Sequence, residues 1–237
     1  FEDFTELHGD RAFGDDRALR CGLVRIGETK LMLMGHQKGK TLAERRECMY
    51  GCAHPEGYRK AIRCMKFAEK FKLPVVCLID TPGAFPGIGS EERGIAQLIA
   101  DALKEMALLD TPIICVVIGE GGSGGALGIG IGDRIAMLEH SYYSVISPEG
   151  CASILWRTSE KAADAAEAMR ITAQQLEQLG IVDEVVREPL GGGHRSPAMA
   201  ISALSQAIEK SLDMLGGQTS HDLRQGRREK FLAMGVL

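Results

Sequence analysis

Two kinds of apolar run alternate along the chain, and their lengths separate strand from helix. Residues 18–26 (ALRCGLVRI) and 29–36 (TKLMLMGH) are strand-length runs split by Gly27-Glu28, the spacing of a hairpin. A charged stretch over 43–47 follows, and Pro55 then opens a helix with Tyr58, Ile62 and Met65 on one face. LPVVCLID (73–80) is a continuous apolar run that suits a strand buried on both faces. It leads through a Gly/Pro loop into a helix from Glu91 that turns Ile95, Leu98, Ile99, Ala102, Leu103 and Met106 inward. PIICVVIG (112–119) repeats the arrangement, with a glycine-rich loop and an apolar helix-like run after it. Strand, loop and helix in that order imply parallel crossover units and an α/β layer structure.

Downstream, RIAML (134–138) and YYSVI (142–146) read as short strands, Pro148 opens another helix, and helical patterns run from Ser159 to Leu179. IVDEVV (181–186) is one more strand. Glycines 191–193 mark a loop before a last amphipathic helix over 197–215, and the polar tail 216–230 reads either as a docking arm or as frayed chain. Nothing in the pattern divides the chain, so residues 1–237 are expected to form a single domain.

Composition changes this picture little. A net charge of −4 argues against a nucleic-acid partner. Seven cysteines, odd in number and set mostly in apolar runs, look like reduced thiols, and no window reaches the about 18–20 apolar residues of a membrane span. A cytoplasmic location is the expectation. Cys48-x3-Cys52 with His54 and Cys64 fits no common zinc spacing, and no C-x2-C pair is present, so no metal is expected in this chain.

Chemistry concentrates in two loops, each leaving the carboxyl end of a buried strand, where open α/β folds bind ligands. One is Asp80-Thr81-Pro82-Gly83-Ala84-Phe85-Pro86-Gly87; the other runs over 119–125 and contains Gly121-Gly122-Ser123-Gly124-Gly125. Three readings of the second loop stand at this point. It matches the G-x-S-x-G of a hydrolase elbow; its bare amides suit a cradle for a developing oxyanion; or its glycines serve tight packing only. A dinucleotide fingerprint is weaker, because the acidic residue expected downstream falls at Glu139 beside His140 rather than at a strand end. A Walker loop fails, because Met34 stands where its first glycine belongs before Gly39-Lys40-Thr41.

HGDRAFGDD (8–16), GHQKG (35–39), PEGYRKA (55–61), IDTPGAFPG (79–87), EERG (91–94), VIGEGGSGGALGIG (117–130), YSVISPEGCASILW (143–156) and EPLGGGHR (188–195) together resemble the alpha subunits of bacterial acetyl-CoA carboxylase carboxyltransferase. The resemblance covers nearly the whole chain; the family's N-terminal helical segment is expected to be missing, and Cys52-Ala53-His54 replaces a more Pro/Met-rich stretch. It implies the crotonase-type fold shared with the Clp peptidase, built of repeated ββα units with a largely parallel sheet and flanking helices. It also implies a reaction: with a beta subunit, in an α2β2 assembly, the carboxyl group of carboxybiotin on the biotin carboxyl carrier protein passes to acetyl-CoA, giving malonyl-CoA for fatty acid biosynthesis. Biotin carboxylase would belong to the same complex, and the zinc of this enzyme class would sit on the beta subunit.

By that resemblance the Gly124 and Gly125 amides are the principal oxyanion donors, with Gly83 and Ala84 inferred as second contributors. Gly121, Gly122, Ser123, Phe85, Pro86, Gly87 and Lys38 are expected near carboxybiotin or coenzyme A. Lys38 could meet a phosphate or carboxylate, or sit in a solvated turn; Arg93 reads as a surface ion pair or a partner contact. Ser123 aligns with the peptidase nucleophile, but the peptidase's histidine would fall at about Ile146, and a serine without a base is a weak nucleophile. His140 would replace it only if the fold bent it inward. Another biotin-dependent acyl-CoA carboxyltransferase, a serine hydrolase and a non-catalytic assembly subunit remain the alternatives.

Overall fold

The apolar runs fold into one mixed sheet whose centre is parallel. The computed structural model describes residues 1–235. The chain opens with strand β1 (Glu2–Glu6), then the hairpin β2 (Leu19–Ile26) and β3 (Thr29–His36), paired in antiparallel register from Leu19↔His36 to Ile26↔Thr29. A short helix α1 (Leu42–Glu47) and the long α2 (Pro55–Lys70) lead to β4 (Val75–Thr81). Helices α3 (Ile88–Glu92) and α4 (Ile95–Leu108) return the chain to β5 (Ile113–Gly122), which passes directly into α5 (Ser123–Leu127). After β6 (Arg134–Leu138) and β7 (Tyr142–Ser144) come α6 (Pro148–Trp156), α7 (Ala162–Met169) and α8 (Ala173–Gln178), then β8 (Glu184–Val186), α9 (Pro197–Leu215) and α10 (Ser220–Ala233).

Among the described residues the strand order is β1-β2-β3-β4-β5-β6-β8, with β7 alongside the far end of β5. Every pairing from β3 onward is parallel. β4 and β5 lie in the middle and are buried on both faces, which is why their sequences are continuous apolar runs rather than alternating ones. Cys77, Ile79, Cys115 and Val117 join Tyr58 and Met65 of α2 and Met106 of α4 in one core. Val76, Ile114 and Val116 form a second core with Ala207, Ile208 and Leu215 of α9. The α/β expectation with a largely parallel sheet and flanking helices is met.

Several local expectations need correction; the strands expected over 142–146 and 181–186 shrink to the three residues of β7 and of β8. The single helix expected from Glu91 is two, because Gly94 at φ 79° breaks it. The strand expected to end at Gly119 continues to Gly122, since Glu120, Gly121 and Gly122 pair with Tyr142, Tyr143 and Ser144 of β7; the helix-like run behind it is reduced to five residues. β1 was invisible as a pattern, because its residues are mostly exposed and only pairing with β2 makes it a strand.

The polar tail is neither frayed nor an arm. Thr219 and Asp222 form a capping box that starts α10. The Arg227 side chain, buried to 1% exposure, donates to both carboxylate oxygens of Asp133 and to the carbonyls of Met106, Leu109 and Thr111. All seven cysteines are free. Among the described residues no helix is long and apolar enough to cross a membrane.

Candidate functional site

β4 and β5 run in register from Val75↔Ile113 to Ile79↔Val117, and the next paired residues are Thr81↔Gly121. Over that step β4 advances two residues and β5 four, so β5 bulges at Ile118, Gly119 and Glu120. The bulge carries the end of β5 across toward the loop leaving β4. There the two glycine loops meet backbone to backbone. A Cβ on Gly122 would strike the Pro82 carbonyl, and one on Gly125 would strike the Ala84 nitrogen and the Gly83 carbonyl carbon. Only glycine allows this approach.

Each loop has its own anchor. Thr81 is fully buried, and its hydroxyl donates to the Gly83 carbonyl at 2.8 Å while accepting the Gly83 N–H at 3.1 Å. The Gly83 amide is therefore already engaged, whereas that of Ala84 faces Gly125 across the gap. Phe85 donates its N–H to the Ala53 carbonyl at 3.0 Å and packs its ring on His54, with centroids 4.3 Å apart. Pro86 and Gly87 carry the chain onward to α3, Gly87 as its N-cap residue.

On the other loop Ser123 sits at φ 53°, in the left-handed region that a side chain rarely occupies, so the chain turns sharply from strand to helix. Ser123, Gly124 and Gly125 form the first turn of α5, where amides have no carbonyl one turn back to accept them. The turn is fixed from below by Tyr58, a fully buried side chain of α2 whose hydroxyl donates to the Gly125 carbonyl at 3.0 Å. Burial holds the Tyr58 phenol in its protonated, donating form, with its pKa far above the ordinary value. Tyr58→Phe removes that donor from a buried carbonyl and is expected to lower stability by about 1–3 kcal/mol. Urea unfolding of the two proteins measures the difference; a loss below about 0.5 kcal/mol would show that the turn does not need this bond.

The cavity of about 1030 Å³ that opens beside the loop after β5 has Ser123 and Gly124 on one wall, with Leu103 of α4, Tyr143 of β7 and Phe231 of α10 among the others. Its apolar lining suits an uncharged ring or chain, and Arg224 and Arg228 of α10 add cationic groups. Sequence reasoning missed this contribution of α10. Leu223, Arg227, Phe231 and Met234 do follow helical spacing, but an arginine in the middle of the stripe conceals it.

The structure brings Gly83, Ala84, Gly122, Ser123, Gly124 and Gly125 together, but it places Lys38 elsewhere. Asp80 and Glu120 lie on the face of the sheet opposite Thr81 and Gly121, as strand alternation requires. Lys38 is paired there with Glu120 and, at 2.9 Å, with Asp80. Glu120 also accepts the Tyr142 hydroxyl at 3.1 Å. Burial opposes charge on Lys38, but the two carboxylates outweigh it and raise the Lys38 pKa. Arg93 makes a two-pronged ion pair with Glu56 of α2, at 2.7 and 3.2 Å, and lies over the Phe13 ring. The histidine rings that hydrogen-bond are His8, to Asp15, and His54, to Ser90; among the described residues none reaches Ser123. Among those residues no group of three or more His, Cys, Asp and Glu side chains converges as a metal site would require.

Residues 1–235 match the family model described as acetyl co-enzyme A carboxylase carboxyltransferase-like. The chain is 56% identical over 236 residues to the acetyl-coenzyme A carboxylase carboxyl transferase subunit alpha of Rhodopirellula baltica, spanning 100% of this chain and 74% of that protein. To the protein of the same name from Haemophilus influenzae it is 53% identical over 235 residues, spanning 99% and 75%. Among solved structures, transcarboxylase 12S with methylmalonyl-coenzyme A bound superposes with a TM-score of 0.73 at 22% identity, over 90% of this chain and 38% of the other. A Pseudomonas malonate decarboxylase hetero-dimer does so with a TM-score of 0.73 at 18% identity, over 92% and 89%. These two likenesses speak for the crotonase-type fold; the family match over nearly every residue and the identity to the alpha subunits go further, and this chain belongs to the acetyl co-enzyme A carboxylase carboxyltransferase-like family.

Proposed function

We propose that this chain is the alpha half of a two-subunit carboxyltransferase and that its paired glycine loops form the oxyanion-binding element of that half. The observation that carries the site assignment is the backbone contact of Gly125 with Gly83 and Ala84, one residue along the chain from the Ser123–Gly124 wall of the apolar cavity. In the reaction, carboxybiotin on a carrier protein supplies the carboxyl group and acetyl-CoA accepts it, giving malonyl-CoA. The cavity fits such a substrate in two respects: its lining is mainly apolar, and one wall ends at the loop amides.

The chain's own work is to hold charge and exclude water. Carboxyl transfer builds negative charge on a carbonyl-type oxygen, and fixed amides in a dry site stabilise it without having to reorganise. Gly124 and Gly125 are the principal donors in this reading, with Ala84 from the facing loop, each worth about 3–4 kcal/mol to the transition state. Gly83 contributes shape rather than a free N–H, because Thr81 already accepts its amide. The carboxylates of the loops, Asp80 and Glu120, are paired with Lys38 on the opposite face, so neither is assigned as a base in this reading. Phe85, Pro86 and Gly87 form the outer part of the β4 loop that leads to α3.

A beta subunit supplies the complementary half-site, and an α2β2 arrangement with the carrier protein docking between the halves is the assembly we infer. The direct test is malonyl-CoA formation from acetyl-CoA and a carboxybiotin donor, with this chain alone and with a beta subunit. Activity in the mixture only is the expected result; a stable but inactive complex would count against the shared site. The left-handed Ser123 keeps a hydrolase reading worth one experiment. Ser123→Ala is expected to keep carboxyl transfer within about threefold, since among the described residues no imidazole hydrogen-bonds the hydroxyl. Labelling of Ser123 by a fluorophosphonate would reverse that conclusion.

A further inference from the structure

The β5 bulge at the half-buried residues 118–120 takes backbone groups out of the ladder with β4, and those groups need another partner. Where β5 leaves register with β4, the Glu120 N–H donates to Asp80 Oδ1 at 2.9 Å, a side chain standing in for the missing backbone acceptor. Gly119 makes room for this carboxylate: a Cβ there would lie 2.5 Å from Asp80 Oδ1. The same oxygen is 2.9 Å from Nζ of Lys38, two residues beyond the end of β3. Lys38 is itself confined from above, because a Cβ on Gly51 would lie 3.0 Å from Lys38 Cγ and 2.9 Å from the Asp80 carbonyl oxygen. Three neighbouring strand ends are thus tied at one carboxylate, immediately before Thr81 on one side and Gly121 on the other.

We infer that Asp80 is the positioning residue of the carboxyltransferase site: its carboxylate fixes the β5 bulge and thereby the placement of the Gly124–Gly125 amides against the Pro82–Ala84 loop. Asp80 touches no reacting atom. Its oxygen acts through Glu120 N–H, on the face of the sheet away from the cavity, and Lys38 aims it. Two strands whose register differs by two residues deliver their end loops to one place only while the bulge survives. Glu120, held by Lys38 and the Tyr142 hydroxyl, closes the cluster on the β7 side.

The inference rests on the carboxyltransferase reading, and its test separates the two. Asp80→Ala and Asp80→Asn are compared with the unaltered chain, each in complex with the beta subunit. Deuterium exchange of backbone amides over 118–125 is measured alongside kcat and the KM for acetyl-CoA. Asn keeps an oxygen for Glu120 N–H; Ala does not. Asp80→Ala is expected to accelerate exchange over 118–125 by at least about tenfold and to lower kcat by about 100-fold, with KM unchanged within about threefold. Asp80→Asn is expected to restore slow exchange and most of kcat. Unchanged exchange and kcat in Asp80→Ala would overturn the positioning role, as would equal losses in both variants accompanied by equal drops in melting temperature. Wild-type complex without transferase activity, but with exchange that still responds to Asp80→Ala, would remove the carboxyltransferase reading and leave the bulge anchor standing.

Discussion

Gly125→Val abolishes carboxyl transfer in the alpha–beta complex, by a factor of at least about 1000, while Gly124→Ala retains it within about tenfold; this is the largest activity contrast the site predicts. The reason lies in what each new carbon would meet. At Gly125 a Cβ runs into the Ala84 nitrogen and the Gly83 carbonyl carbon, both backbone atoms of a loop pinned by Thr81. Neither can swing aside as a side chain does, so the loops must separate or the turn of α5 must unwind. Either movement displaces the Gly125 and Ala84 amides together, and two donors at about 3–4 kcal/mol each exceed the 4 kcal/mol that a 1000-fold loss represents. At Gly124 the nearest atoms are Ile99 Cδ1 and Cγ2, 3.7 and 3.8 Å from the Cβ position, which is ordinary van der Waals contact. Alanine there keeps the amide and the backbone path. The check is kcat/KM for malonyl-CoA formation, with co-purification of the beta subunit showing that each variant still assembles. Equal activity of the two variants would dissociate catalysis from the contact between the loops.

That contrast also marks what a sequence can convey. Both glycine loops stood out because bare backbone after a buried strand is unusual, and the strands before them were legible because Val75–Ile79 and Ile113–Val117 are apolar at every position. Which glycine is structural and which only permissive was not legible, since both read as the same letter; the difference is a matter of which atom lies across the gap. Lys38 shows the same limit. A lysine after a strand reads as a hand for phosphate, but its partners Asp80 and Glu120 lie 42 and 82 positions away in the sequence and become neighbours only when three strands are laid side by side. The β5 bulge depends on register between strands, and register is written in no single segment. β1, likewise, owes its conformation to β2 rather than to its own exposed residues.

Arg227→Ala should produce the largest loss of stability, about 3–5 kcal/mol, or a fall of about 6–20 °C in melting temperature for a chain of this size. Arg227 and Asp133 are both withdrawn from water, with side-chain exposures of 1% and 5%. Their pairing does not by itself make the fold more stable than an apolar substitute would, because desolvating both charges consumes most of the attraction. Breaking the pair is another matter. Alanine leaves the Asp133 carboxylate buried with the Ile113 N–H as its remaining partner, and takes a donor from the carbonyls of Met106, Leu109 and Thr111. Those carbonyls lie where α4 turns into β5, and α10 is the element that covers them. The variant should therefore also loosen α10, exposing residues 216–235 to protease and opening the cavity wall formed by Phe231. A double variant, Arg227→Met with Asp133→Asn, removes the stranded charge and keeps an oxygen for Ile113 N–H, so it should be more stable than Arg227→Ala. Urea unfolding of the three proteins settles the order. A loss below about 1 kcal/mol in Arg227→Ala would mean that α10 is held by its apolar residues Leu223, Phe231 and Met234, and that the buried ion pair only selects where it docks.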